Sequence, residues 1–102
     1  MSDLPVTALT LRRPVRDTVG HEVSVRYETV SEGLRCEIYP MGSRRVVTPS
    51  GARTIRRAVG LLPMAAQPEP GDRVITPEGT TYAVDDVISN DLGHRCDLRE
   101  VR

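Results

Sequence analysis

Phenylalanine, tryptophan and lysine are absent from this chain of 102 residues, and its only aromatic side chains are three tyrosines. Without large rings, any core has to be assembled from Val, Leu, Ile and Ala with a little Tyr, so a thin core is expected. The same shortage removes the stacking platforms on which single-stranded nucleic-acid binders lay successive bases. All 14 basic residues are arginine, whose planar fork pairs bidentately with carboxylate or phosphate and tolerates partial burial at an interface. Cys36 and Cys96 are too few for a disulfide framework and are expected to stay thiols in a reducing cytosol. No apolar run approaches the ~20 residues of a membrane span. Met1 to Leu11 lacks the basic start and apolar block of a signal peptide, so a soluble protein outside the usual secretion route is expected.

The length suits a single domain over residues 1–102, able to bury roughly 65% of its unfolded surface without staples or metals. Formal charge is zero, yet it is unevenly spread. Residues 1–60 hold ten Arg against six acids, and residues 61–102 hold four Arg against eight. A basic part and an acidic part favour head-to-tail or stacked association over attraction to one bulk polyanion.

The clearest local pattern lies in Pro68 to Ile88. Pro68, Pro70 and Gly71 turn the chain before Asp72, Val74 and Ile75 begin an extended run, and Pro77-Glu78-Gly79 supplies a second turn. Thr80 to Val84 follow with β-branched and aromatic types, completing a β-hairpin. Upstream, Val23, Val25 and Tyr27 alternate with Ser24, Arg26 and Glu28, which predicts a strand with one wet face. Ser31-Glu32-Gly33 reads as a turn into a second strand on which Leu34, Cys36 and Ile38 alternate with Arg35, Glu37 and Tyr39. Met41 to Arg53, with Gly42, Pro49 and Gly51 around Val46-Val47, reads as one long loop with a small ribbon at its centre. Thr54 to Leu62 has some helical spacing, but its β-branched residues and Gly60 favour a strand ended by Pro63. From His94, Cys96 and Leu98 alternate with polar residues in a last strand. Met1 to Arg13 is either an edge strand or an N-terminal arm that orders on a partner. About six or seven short strands and no helix predict an all-β fold, a small β-barrel whose closure removes exposed edges.

Chemistry is hard to find in the pattern. His21, His94, Cys36 and Cys96 are capable zinc ligands, but no close C-x2-C or H-x3-H pair offers two ligands from one turn. Asp85 and Asp86 are adjacent on a strand and point to opposite faces unless a bulge intervenes, so a strand-end turn or a salt bridge to arginine is the simpler role. Ser50 sits in Pro49-Ser50-Gly51, which is not a nucleophile elbow. The expectation is a non-enzyme with no metal and no cofactor. The strongest remaining feature is Arg44, Arg45, Arg53, Arg56 and Arg57, with no acid between Glu37 and Glu69. Such a cluster suits DNA phosphates or an acidic protein surface, or is simply a solvated face.

The order of segments resembles a known family. Thr54 to Pro63, T-I-R-R-A-V-G-L-L-P, is followed by P-x-P-G-D-R-V through Val74, a P-E-G turn and T-Y-x-V ending at Val84. This is similar to the head-completion proteins of tailed bacteriophages, in particular the stopper, or head-closure, component of the head-to-tail connector. The likeness covers the second half of the chain by motif and the first half by pattern.

The resemblance implies a virion protein of the phage neck, assembled in the bacterial host cytoplasm as a homo-oligomeric ring of about six or twelve copies. Such a ring sits below a portal or adaptor ring and above a tail terminator or tail tube. It closes the channel after viral genome packaging, opens for genome ejection and offers a docking surface to the tail. Double-stranded DNA would meet it without sequence specificity, and no membrane is involved. Arg44, Arg45, Arg53, Arg56 and Arg57 are then interface or lumen residues, and residues 41–53 the segment nominated for the lumen or a neighbouring subunit. Two other classes fit the same residues: a sibling role such as tail terminator or minor tail component, and a small SH3-like or OB-like nucleic-acid-binding module.

Overall fold

The computed structural model describes residues 6–101. Six antiparallel strands form it: β1 (Val6–Val19), β2 (Glu22–Thr48), β3 (Gly51–Leu62), β4 (Arg73–Ile75), β5 (Thr81–Asn90) and β6 (Gly93–Val101), with a 3-10 turn at Met64–Ala66. They close in the order β1-β2-β3-β6-β5-β4. The all-β barrel expected from the sequence is therefore the fold. The closing strand is the shortest: the three residues of β4 pair with Thr10, Leu11 and Arg12 of β1 on one side and with Thr81, Tyr82 and Ala83 on the other. The hairpin read in Pro68 to Ile88 is present, its turn fixed where the Gly79 N–H donates to the Thr76 carbonyl at 2.9 Å and the Thr76 N–H to the Thr80 carbonyl at 2.9 Å.

One open alternative is resolved and two expectations need correcting. Val6 to Arg13 is part of β1 and pairs with β2 of the same chain, so the N-terminal alternatives resolve to a strand of the sheet for residues 6–13; residues 1–5 lie outside the described residues. Ser31-Glu32-Gly33 is not a turn. It is an irregularity inside β2, where Leu9 faces Leu34 but Leu11 faces Ser31, and Gly33 takes the positive φ of 67° that the extra residue requires. The real hairpin turn is Gly20-His21, between the paired residues Val19 and Glu22. Residues 41–53 are not a loop either. β2 runs on to Thr48 and β3 restarts at Gly51, so the stretch is nearly all paired ribbon. The glycines that suggested a loop mark a bulge, at Gly42 with φ 89°, and a tight turn.

Bulges decide the shape. A straight strand of the 27 residues in β2 would run about 90 Å at ~3.3 Å per residue. The longest dimension of the whole molecule is 54 Å, so β2 bends, and its register breaks at residues 30–33 and 41–42 are where an extra residue permits it. β2 thus serves three structures in succession: an arm with β1 beyond Leu11, the barrel wall over residues 31–40, and a second arm with β3 over residues 43–56.

The core contains no phenyl or indole ring and is built from Leu9, Leu11, Cys36, Ile38, Leu62, Val74, Val84, Cys96 and Leu98, with Ala58 and Ala66. One tight point is Gly60, where a Cβ would sit 3.0 Å from Leu98 Cδ1. A glycine there lets β3 approach Leu98 in place of a side chain.

Candidate functional site

The five nominated arginines all sit on the second arm or at its root. Directly opposed residues of an antiparallel pair share a face, so the register sorts them. Ser43 faces Arg56 and Arg45 faces Thr54, and this face continues the inner wall of the barrel through Ala58. Arg44 faces Ile55 and Val46 faces Arg53, and with Arg57 these form the opposite, outer face. The structure therefore brings the arginines onto one ribbon but divides them, Arg45 and Arg56 on one side and Arg44, Arg53 and Arg57 on the other. All five are exposed. Only Arg56 has an acidic neighbour among the described residues, Glu100 Oε2 at 3.8 Å from its Nε. The rest of the arm is a free concentration of positive charge.

Two shallow clefts flank the arm where it leaves the barrel. One of about 450 Å³ is lined by Ala52 to Arg56 and Glu100. The other, about 360 Å³, lies between the root of the arm and Thr80, Tyr82 and Glu100. Both are open, the first mainly polar and the second mixed, a shape suited to a phosphate chain or a protein edge more than to an enclosed small molecule.

The candidate catalytic and metal residues do not converge. Cys36 and Cys96 are core residues whose thiols burial pushes up to about 11 and about 12, the behaviour of small hydrophobes. His21 is at the tip of the first arm. His94, on β6, has its Nε2 3.1 Å from the Met64 carbonyl and its Nδ1 2.7 Å from Ser89 Oγ. A carbonyl only accepts, so Nε2 donates to it, while the Ser89 hydroxyl can serve Nδ1 as donor or acceptor. Among the described residues no three His, Cys, Asp or Glu side chains are grouped to hold a metal. A bulge does fall at Asp85, between the pairs Val84–Leu98 and Asp86–Asp97, but the two carboxylates take different partners. Asp85 accepts from Arg99 at 3.3 and 3.4 Å, and Asp86 Oδ1 accepts the Val87 N–H at 3.0 Å. Ser50 Oγ meets only the Thr48 hydroxyl at the arm tip, at 3.1 Å.

Two features were not read from the sequence. The first is a buried carboxylate at the root of the first arm. Arg13 Nε and Nη2 donate to Asp72 Oδ1 and Oδ2, both at 3.0 Å, Nη2 also donates to the Gln67 carbonyl at 3.0 Å, and the Glu69 N–H donates to Asp72 Oδ2 at 2.9 Å. Asp72 is 1% exposed. The hydrogen bond from Arg13 to Asp72 and its charge hold the guanidinium pKa above its ordinary value. The available signal was an acid immediately after the Pro70-Gly71 turn and one residue before a strand, where a carboxylate closes backbone N–H groups. The second feature is the first arm itself. Val23, Val25 and Tyr27 lie on an exposed face, where the guanidinium carbon of Arg73 stands 5.3 Å over the Tyr27 ring and its Nε donates to the tyrosine hydroxyl at 3.2 Å.

No protein-family model and no curated protein matches the sequence. Among solved structures the chain is similar to the phage-like element PBSX protein xkdH from Bacillus subtilis, with a TM-score of 0.64 at 10% identity, over 99% of this chain and 96% of that one. The two share a fold over nearly their whole lengths.

Proposed function

We propose that this chain is a structural protein of a tailed-phage or phage-like particle, and within it the stopper of the neck: a ring between the portal or adaptor and the tail that closes the channel after packaging and receives the tail. The carrying observation is the fold shared over 99% of this chain and 96% of a protein of a phage-like element. The motif order from Thr54 to Val84 supports the narrower neck assignment. The two arms support assembly, because a two-stranded ribbon standing off a barrel is marginal in water and gains its stability against a neighbour. The basic arm over residues 43–56 is the part proposed to line the lumen or reach the adjacent subunit, with Arg44, Arg45, Arg53, Arg56 and Arg57 meeting phosphate without reading sequence. The role is non-enzymatic, in keeping with inert buried thiols and with Asp85 already paired to Arg99.

The test is electron microscopy of lysates from the encoding phage with this reading frame disrupted. Heads that packaged and then lost DNA, beside free intact tails, are the expected result. Filled, stable, tailless heads would move the role to tail docking alone. Normal infectious particles would remove the neck assignment and favour the small nucleic-acid-binding module.

A further inference from the structure

We infer that the outer face of the first arm binds a second copy of this chain, at the apolar patch around the β5–β6 turn. The inference rests on the ring reading above and deepens it by naming the contact.

The starting point is a change of phase within one strand. Along β2 the apolar residues are odd-numbered on the arm, Val23, Val25 and Tyr27, and even-numbered in the wall, Leu34, Cys36 and Ile38. Odd and even residues of a strand face opposite ways. Two extra residues of β2 lie between these stretches, so the facing is read from β1, which has none: Leu9 and Leu11 point into the barrel, and Pro14, Arg16 and Thr18, opposite Tyr27, Val25 and Val23, lie on its other face. The arm residues thus point outward, where Val23 is 62%, Val25 53% and Tyr27 39% exposed. A strand patterned this way has one face selected for its own core and the other for a surface outside the chain. Tyr27 is also held in place by Arg73 before any partner arrives, which suits an aromatic anchor.

A complementary surface exists elsewhere on the barrel. Leu61, Arg95 and Ile88 are cross-strand neighbours on the outer wall of β3, β6 and β5. Ile88 is 58% and Leu92, at the adjacent turn, 91% exposed. A recess of about 200 Å³ lies between Leu61, Leu92 and His94. Charge selects the pairing. Arg12 and Arg16 share the arm face with the valines, whereas Asp86 and Asp91 border the patch, and Asp86 directly opposes Asp97, a like-charge pair that a cation would relieve. None of Arg12, Arg16, Asp86 and Asp91 belongs to an ion pair among the described residues. Arm against arm would set Arg12 and Arg16 against their own counterparts. Arm against patch sets them against Asp86, Asp91 and Asp97, three acids to the patch's one exposed arginine, Arg95, and because the two surfaces differ, the contact repeats head to tail and closes into a ring when its rotation permits.

The experiment uses the full chain carrying Val23→Cys or Leu92→Cys, both at exposed sites, with Cys36 and Cys96 buried and silent. Mild oxidation of an equimolar mixture is expected to give a disulfide-linked dimer that neither variant forms alone, and Val25→Glu in the first chain is expected to cut its yield at least about tenfold. Circular dichroism of each variant separates loss of contact from loss of fold. Self-linked Val23→Cys chains would overturn the inference in favour of an arm-to-arm contact. So would a mixture that stays unlinked at the highest soluble concentration, whether or not sedimentation finds the chain associated. The particle phenotype is read separately, so normal particles with an efficient cross-link would fault the neck assignment and leave the contact standing.

Discussion

Cys36 and Cys96 point into the barrel because even residues of β2 and β6 face inward there, and both are essentially sealed from water. That placement was legible, since each sits on the apolar phase of its strand. Burial raises their thiols from an ordinary 9.0 to about 11 and about 12. The sign of the consequence follows from proton counting. Between pH 9 and those values the unfolded chain has released protons that the folded chain keeps, so stability is full below about pH 9 and falls as pH rises, by at most about 1.4 kcal/mol per pH unit for each thiol. The hydroxyls of Tyr39, raised by its hydrogen bond to Glu37, and of Tyr82, raised by burial, act in the same direction at higher pH. The urea midpoint is expected to hold level through neutral pH and decline above about pH 9, less steeply in Cys96→Val, with a thiol reagent inert until the protein unfolds. Complete labelling of the native protein at neutral pH would contradict this account.

Elements of period two with their own turn chemistry were readable: the hairpin of β4 and β5, the strand ending at Pro63, and the last strand from His94. β2 was not. Local cues at Ser31-Glu32-Gly33 and at Gly42 indicate reversal equally well in a turn or a bulge, and only the pairing partner across the sheet distinguishes them. The arginine group was visible as composition, but its division between two faces depends on the bulge at residues 41–42, which no local pattern reveals. Asp72 belongs to the same class, because its burial is created by Arg13, 59 residues away. This pair joins the root of the first arm to the connection between β3 and β4, so it should fix where the arm leaves the barrel. Asp72→Ala would strand the Arg13 guanidinium and the Glu69 N–H. Arg13 is 32% exposed at its side chain, so water partly rescues it and the expected cost is about 2–4 kcal/mol, at or below that of a fully buried broken pair. Asp72→Asn keeps an acceptor for Glu69 and is expected to fall between. Urea unfolding with an unchanged m-value reads the difference, and an Asp72→Ala midpoint equal to the parent's would show the clamp to be idle.

At the scale of the molecule, the arms make the chain elongated. Its radius of gyration is 15.1 Å, against about 13 Å for a compact domain of this length. The basic arm and the acids Asp86 and Asp91 near the β5–β6 turn lie toward opposite ends of β3, which allows one copy to present unlike surfaces to two neighbours while the net charge is zero. The division of the arginines then limits how an isolated copy meets DNA. A duplex touching one face of a flat ribbon reaches Arg44, Arg53 and Arg57, or else Arg45 and Arg56, but not all five. Each neutralised phosphate adds about −0.9 to the slope of log affinity against log salt, so the isolated chain is expected to bind weakly with a slope no steeper than about −2.7. Replacing Arg44, Arg53 and Arg57 with Gln should leave a slope of about −1.8 at most, and in the proposed ring many copies around one channel would recover by multivalency what each lacks. Fluorescence anisotropy of a labelled duplex across a salt series measures this. A slope near −4.5 would require both faces of the ribbon to be engaged at once, as when a two-stranded arm enters a groove, and the arm would then be a nucleic-acid-binding element in its own right, with the ring no longer needed to explain its charge.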